Sequence, residues 1–335
     1  MKRAAVEVFD ALSLPVYNLD SVQVHGNCPD GMGSLLCGLL YSKIVDKKID
    51  FVFLFHNKPD EDYLKNIDGK NIVVFDFSFN EKVIEQFIAK CGSFHIYDHH
   101  IGQKDIMAKF PNHCTFDNDR SGVHLAWDFF FPDIKAPKWV KYIQERDLGH
   151  FDNTEAMKFG AFLYYDADWS AENWLQKIYP NLETIISTHK NKDTLFDILE
   201  DSVAYEKISM FGGCYLKAQE KMVNSQLKKI IKSKFCGILT GVGNFVVSIS
   251  DTSDAFLKKN PEYSLVLIWR IDIYNMKYEF SLRSRDTDNI ECFKIAKMFG
   301  GGGHKCAAGF KVDTTTDIFK FLITNISNED WKNLI

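Results

Sequence analysis

The sequence predicts an α/β protein in two parts. An N-terminal parallel sheet carries helices on both faces, and a helical connector then leads to a smaller C-terminal α/β domain. Three observations predict this. Short β-rich runs alternate with helical stretches through the first half, the pattern that crossover connections give to a parallel sheet. From about residue 171 to 234 the sequence is helical and charge-rich without a strand signal. Strand-like runs return at Phe235. A chain of 335 residues also exceeds the usual size of one core. The expected domains are residues 1–190 and 235–335, joined by a helical connector over 191–234.

The elements justify themselves in order. Ser21–His25 alternates as a strand, and Gly33 to Val45 has Leu35, Leu36, Leu39 and Leu40 at helical spacing. Ile49–Phe55, Asn71–Phe75 and Phe94–Tyr97 are strand-like, with a helix from about Glu81 to Lys90 between the last two. Ser121 is placed to cap a helix running to Phe130, and a further helix covers Trp139 to Arg146. In the second half, strands are expected at Phe235–Thr240, Phe245–Ile249, Ser264–Trp269 and Lys277–Leu282, then a helix over Glu291–Phe299. That helix runs into Gly300-Gly-Gly-Gly-His304.

Composition excludes several classes. The net charge of -5 argues against a protein that tracks long nucleic acid, because neutralising backbone phosphates supplies most of that affinity. Short oligonucleotides, dinucleotides and small phosphate esters stay open. The eight cysteines are scattered singly, with no CxxC pair, as expected of a reducing, cytoplasmic setting. Glu7 and Asp10 interrupt the N-terminal apolar stretch, which does not read as a signal peptide, and no apolar run has the length of a membrane span.

Four places in the first half put His or Asp directly after an apolar run or at a helix end. They are His25 with Asp30, then Asp76, Asp98-His99-His100, and Asp147. Strands of one parallel sheet end on one edge, where ligands of such sheets gather. That topology brings His25, Asp30, Asp76 and the His99-His100 pair to one crevice. A lone Asp after a strand is ordinarily a turn former or helix cap; the joint occurrence of the set points further. Imidazole with carboxylate and no clustered thiolates suits manganese above iron, magnesium or zinc. Two metals about 3.5–4 Å apart are the usual arrangement for phosphoryl displacement. The four glycines before His304 allow positive φ and close approach, so that backbone amides of Gly301, Gly302 and Gly303 reach phosphate oxygens. His304 then stacks on a base or pairs with a terminal phosphate. Arg283 and Arg285 are either bidentate phosphate clamps or surface ion-pair partners.

Asp98-His99-His100 after a hydrophobic strand resembles the motif that names the DHH phosphoesterase superfamily. His25-x-x-Cys28-x-Asp30-Gly resembles its first motif, Phe75-Asp76 its second and Arg146-Asp147 its fourth. Gly300-Gly-Gly-Gly-His304-Lys-Cys-Ala-Ala-Gly309 is similar to the glycine signature of the DHH-associated C-terminal domain. Ser121–Trp127 and Ser281-Leu-Arg-Ser284 also agree, and the resemblance spans about residues 20 to 312. It implies that Asp76 bridges two divalent ions, that His25 binds one, and that Asp30, His99 and Asp147 bind the other. His100 would face the scissile phosphate. Relatives generally carry Asp at the position of Cys28, whose thiolate either ligates the first ion or stands by while water completes the shell.

The expected function is therefore a manganese-dependent phosphodiesterase acting on very short oligonucleotides or dinucleotides. The alternatives are a phosphomonoesterase on a nucleotide such as phosphoadenosine phosphate, a RecJ-like single-strand exonuclease, and a nucleotide-binding module with attenuated turnover. A nucleotide-sized substrate and a homodimer are the anticipated partners.

Overall fold

Five apolar runs of the first half lie side by side as an all-parallel sheet in the order β2-β1-β3-β4-β5. The strands are β1 Ser21–His25, β2 Asp50–Leu54, β3 Asn71–Phe75, β4 Ser93–Asp98 and β5 Cys114–Phe116. The computed structural model describes residues 14–26, 28–56, 58–148, 153–166, 170–189, 192–303 and 305–317. The chain divides into two compact units, Met1–Leu216 and Lys217–Ile335.

The period of two along the strands decides which side chains meet which helices. Val22, Val24, Val73 and Phe75 face a core shared with helices α1 (Pro29–Ile44), α5 (Gly122–Phe130) and α6 (Lys138–Asp147). Leu54, Ile72, Val74, Phe94 and Ile96 face a second core with α3 (Glu81–Lys90). That face also carries two short helices, α2 (Asp60–Tyr63) and α4 (Lys104–Met107). Helix α1 is buried on nearly every side from Asp30 to Tyr41, as its continuous apolar sequence requires. Helices α7 (Thr154–Asp166), α8 (Ala171–Ile178), α9 (Leu182–Thr188) and α10 (Lys192–Ser202) complete the unit. Trp139 donates its indole N–H to the Tyr179 hydroxyl at 2.7 Å, so both large side chains are buried without an orphaned polar atom. Helix α11 (Tyr205–Leu227) contains the boundary between the units.

The second unit is a six-stranded mixed sheet in the order β10-β11-β9-β8-β7-β6. Its strands are β6 Ile231–Phe235, β7 Ile238–Asn244, β8 Leu265–Asp272, β9 Lys277–Arg283, β10 Gly302–Gly303 and β11 Ala307–Asp313. Two helices, α12 (Ile249–Lys259) and α13 (Cys292–Met298), belong to it. Here three expectations need correction. The run Phe235–Thr240 is broken by a tight turn, since Cys236 and Gly237 both have positive φ, 50° and 75°. Phe245–Ile249 is not a strand: β7 stops at Asn244, Val246 and Val247 are exposed, and Ile249 opens α12. Two β-branched residues in a surface turn imitate a sheet. The stretch to Lys234 does contain a strand, β6, an edge whose lysines hide its apolar signal.

Candidate metal centre

All strands of the first sheet end on one edge, and the predicted set gathers there. His25 closes β1. Cys28 caps α1, its sulfur accepting the Gly31 amide at 3.3 Å and donating to Asp76 Oδ2 at 3.2 Å. Asp30, in the first turn of α1, is 1% exposed and receives two backbone amides at the start of α5, Gly122 at 2.6 Å and Val123 at 3.0 Å. A helix N-terminus thus fixes this carboxylate. Gly122 has no room for a side chain: a Cβ there would come 2.4 Å from the Asp76 Cβ and 2.7 Å from Asp30 Oδ2.

Asp76 follows β3 with φ of 58°, a left-handed conformation that Asp and Asn tolerate better than most residues. Its carboxylate is reached from both sides. His25 Nδ1 lies 3.5 Å from Oδ2, and His99 Nε2 lies 3.2 Å from Oδ1. The same His99 nitrogen is 3.4 Å from Asp147 Oδ2, at the end of α6, and 3.6 Å from Asp30 Oδ2. Three groups of potential ligands result: His25 with Cys28 and Asp76, Asp30 with His99 and Asp147, and Asp76 with Asp98, His99 and His100. Asp98 of β4 turns inward instead. Its Oδ1 accepts the amide of His99 at 2.8 Å and His100 Nδ1 at 2.7 Å, fixing the imidazole beside Asp76.

The electrostatics are those of a cluster short of positive charge. Burial, then the charges of Asp76 and Asp147, hold Asp30 protonated well above the ordinary carboxylate range. Burial and Asp76 raise Asp147 too. Burial opposes ionisation of Asp76, but the imidazoles of His25, His99 and His100 outweigh it and keep that carboxyl low. Burial also pushes the Cys28 thiol up, with Asp76 and Asp30 adding to the effect. His100 loses solvation, yet its bond to Asp98 and the surrounding carboxylates lift it to about 9. His25 Nδ1 is buried without a hydrogen-bond partner. Crowded carboxylates and a buried ring nitrogen without a hydrogen bond are the conditions that divalent cations relieve, so the donor set fits metal ions.

Three contributors do not stand out in the sequence. Asp98 enters it only as a letter of the motif. Gly122 carries no chemistry that composition reveals. His56 follows β2, stacks on Phe77 with ring centroids 4.6 Å apart, and meets the His25 ring edge-on at 4.9 Å. A His one residue beyond the end of an apolar run is the available signal.

No protein-family model matches the sequence. The chain is 27% identical over 317 residues to protein R106 of Acanthamoeba polyphaga mimivirus, which is described as uncharacterized; the alignment covers 91% of this chain and 70% of that protein. Among solved structures it is similar to CDC45 from Entamoeba histolytica, with a TM-score of 0.50, 9% identity and 98% of both chains covered. It is also similar to the pGpG-specific phosphodiesterase PggH from Vibrio cholerae, with a TM-score of 0.49, 14% identity, and 92% and 98% covered. The parallel sheet carries Asp98-His99-His100 at the end of β4, opposite His25, Asp30 and Asp76. This is the gathering of strand ends that the motif resemblance implies.

The second unit holds the remaining predicted residues. The glycine run is part of the sheet: Gly302 pairs with Gly309 and Gly303 with Ala308. A Cβ on Gly301 would stand 2.2 Å from the Gly309 carbonyl, and Gly303 has φ of 143°. Close approach to β11 alone therefore requires glycine at both positions. His304 lies outside the described residues. Arg285 is internal: it donates to the carbonyls of Leu257, Pro261 and Tyr263 at 2.8, 3.0 and 2.7 Å, and pairs with Asp288. Of the two expectations the ion pair is the one present, and the remaining donors tie a loop to the sheet. Arg283 donates to Leu282 O and Ser250 Oγ, on the helix α12 side of the strand. No helix among the described residues is long and apolar enough to cross a membrane.

Proposed function

We propose that this chain is a metal-dependent phosphodiesterase that hydrolyses dinucleotides or very short oligonucleotides with two divalent cations, manganese being preferred. The observation that carries the reading is Asp76, a buried carboxylate with His25 and Cys28 on one oxygen and His99 on the other. His25, Cys28 and Asp76 would hold one cation; Asp76, Asp30, His99 and Asp147 would hold the second. Bound cations supply polarisation of a phosphoryl oxygen and activation of water. The chain supplies the rest. The Gly122 and Val123 amides hold Asp30 in orientation, and the left-handed turn at Asp76 presents its carboxylate to both groups. Asp98 keeps His100 protonated through Nδ1, which leaves Nε2 to meet the charge that develops on the phosphate or its leaving oxygen. Arg283 and His304 of the second unit would engage the nucleotide. The net charge of -5 favours short substrates.

The test is a screen of linear dinucleotides, cyclic dinucleotides, phosphoadenosine phosphate and single-stranded DNA, each with manganese and with chelator. The reading expects chelator-sensitive cleavage that is fastest on a linear dinucleotide. Cleavage of phosphoadenosine phosphate alone would make the protein a phosphomonoesterase, and a rate rising with strand length would make it RecJ-like. Tight nucleotide binding without turnover would make it a binding module.

A further inference from the structure

The two candidate cation positions share Asp76 but not their donor chemistry. At the first, the ligand atoms of His25, Cys28 and Asp76 lie within 4.8 Å of one another. Those of Asp30, His99 and Asp147 gather within the same span at the second. Asp76 joins this second set through Oδ1, 3.2 Å from His99 Nε2. The first set is thus one nitrogen, one oxygen and one sulfur, and the second is one nitrogen and three oxygens. Among the described candidate ligands, Cys28 is the only sulfur.

The place of Cys28 is a poor one for a cysteine with a structural role alone. It is the N-cap of the 16-residue helix α1, where Ser, Thr, Asp and Asn are preferred because their oxygens accept an amide well. The Cys28 sulfur does accept the Gly31 amide, at 3.3 Å, but sulfur is a weak acceptor. Nor is the thiol packed as a small apolar side chain. It is partly buried and donates to Asp76 Oδ2 at 3.2 Å, the oxygen that His25 Nδ1 approaches at 3.5 Å. His25 Nδ1 itself is buried and makes no hydrogen bond. A cation among these three atoms would satisfy all of them at once.

Donor type decides which cation each position takes. Thiolate is a soft ligand that selects zinc-class cations, whereas carboxylate oxygen suits manganese and magnesium. Resting on the two-cation reading above, we propose that the centre takes two different metals: a thiophilic divalent cation of the zinc class at His25, Cys28 and Asp76, and manganese at Asp30, His99, Asp147 and Asp76. Cys28 is the residue that tells the positions apart. On binding, its sulfur–hydrogen bond gives way to a sulfur–cation bond and the proton leaves to solvent. Manganese binds N, O and S sites least tightly of the first-row divalent metals, so it fills the first position weakly. The manganese preference of the centre then belongs to the second position.

The experiment equilibrates the metal-stripped full chain with one equivalent of zinc and an excess of manganese. It then reads bound metal by equilibrium dialysis, manganese by electron paramagnetic resonance and zinc by X-ray absorption. The expected protein holds one zinc and one manganese, and the zinc has a sulfur neighbour at about 2.3 Å. Cys28→Asp and Cys28→Ser both leave a preferred N-cap residue at the start of α1, so the fold is kept. Each should remove the sulfur neighbour. Cys28→Asp should also lower the preference for zinc over manganese at the first position by about tenfold or more, at least the cost of losing an outer partner of a ligand. Zinc bound without a sulfur neighbour, or a zinc preference unchanged in Cys28→Asp, would overturn the proposal. So would two manganese ions held in the presence of zinc, a result that leaves the two-cation reading intact. A chain that holds fewer than two cations would overturn that reading together with this one.

Discussion

In the first unit, Asp30, Asp76 and Asp98 are buried to within about 1% of exposure, and their oxygens face one another or the imidazoles between them. In the second unit the guanidinium of Arg285 is held by three carbonyls and the Asp288 carboxylate. The first arrangement is incomplete as it stands: carboxylates repel one another, and His25 Nδ1 makes no hydrogen bond, its nearest carboxylate oxygen lying 3.5 Å away on Asp76. The second pairs one cation with one carboxylate and adds neutral carbonyls. An unfinished set of buried charges marks a place for an external ion, whereas a finished one marks structure. Arg283, between these extremes, donates to a serine hydroxyl and one carbonyl and makes no ion pair within 4 Å among the described residues.

The largest effect that would break this comparison belongs to Asp76. Asp76→Asn keeps a side chain that accepts the left-handed backbone while removing the charge shared by both groups. Hydrolysis of a dinucleotide should fall by more than about 10³, beyond the loss of a single oxyanion donor, with far-UV circular dichroism unchanged. A variant within tenfold of the parent would show that the shared carboxylate is not essential. Next comes Asp98→Asn, expected to reduce kcat by about 10²–10³ because His100 is no longer held as a cation. In the metal-free protein the His100 imidazole should titrate near 9, and the substitution should bring it down toward the ordinary histidine range. The sign follows from the raised value. The stabilisation that His100 contributes is fully present below the ordinary imidazole pKa of about 6.5 and is lost as pH rises through about 9. An unchanged NMR titration midpoint in the variant would remove Asp98 from its positioning role.

The smallest effects separate the two arginines. Arg285→Ala orphans three carbonyls and should cost about 2–4 kcal/mol of stability, measured by denaturant unfolding, with KM nearly unchanged. Arg283→Ala should do the reverse. Stability should stay within about 0.5 kcal/mol, while KM for a dinucleotide rises about tenfold and KM for a small aryl phosphodiester does not. Equal effects of the two substitutions would erase the distinction.

The parallel sheet and its ligand edge are legible because β1, β3 and β4 are apolar runs that end abruptly in His or Asp, and topology does the rest. What the sequence conceals depends on backbone geometry. Nothing local to Gly122 announces that its missing side chain lets Asp30 and Asp76 approach each other. The glycine run before His304 reads as a ligand cradle, yet close approach to β11 already requires glycine at Gly301 and Gly303. Arg283 and Arg285 sit two residues apart and are indistinguishable by type; only the loop that folds over the second separates them. Strand β7 is hidden because Gly241 and Gly243 carry no side chains to show a pattern. At Gly241 a Cβ would strike the Phe256 ring at 2.5 Å.

The candidate ligands also come from points as distant along the chain as His25 and Asp147, each at the end of a different element. A cation held by Asp30 and Asp147 would close a long stretch of the chain, as a covalent staple would, but reversibly. Unfolded chain offers no such gathering, so occupancy and foldedness become one equilibrium. A cation present at a hundred times its dissociation constant would add about 2.7 kcal/mol to the resistance of the first unit against unfolding. The metal supply of its surroundings would then set how long the protein survives proteolysis as well as how fast it works.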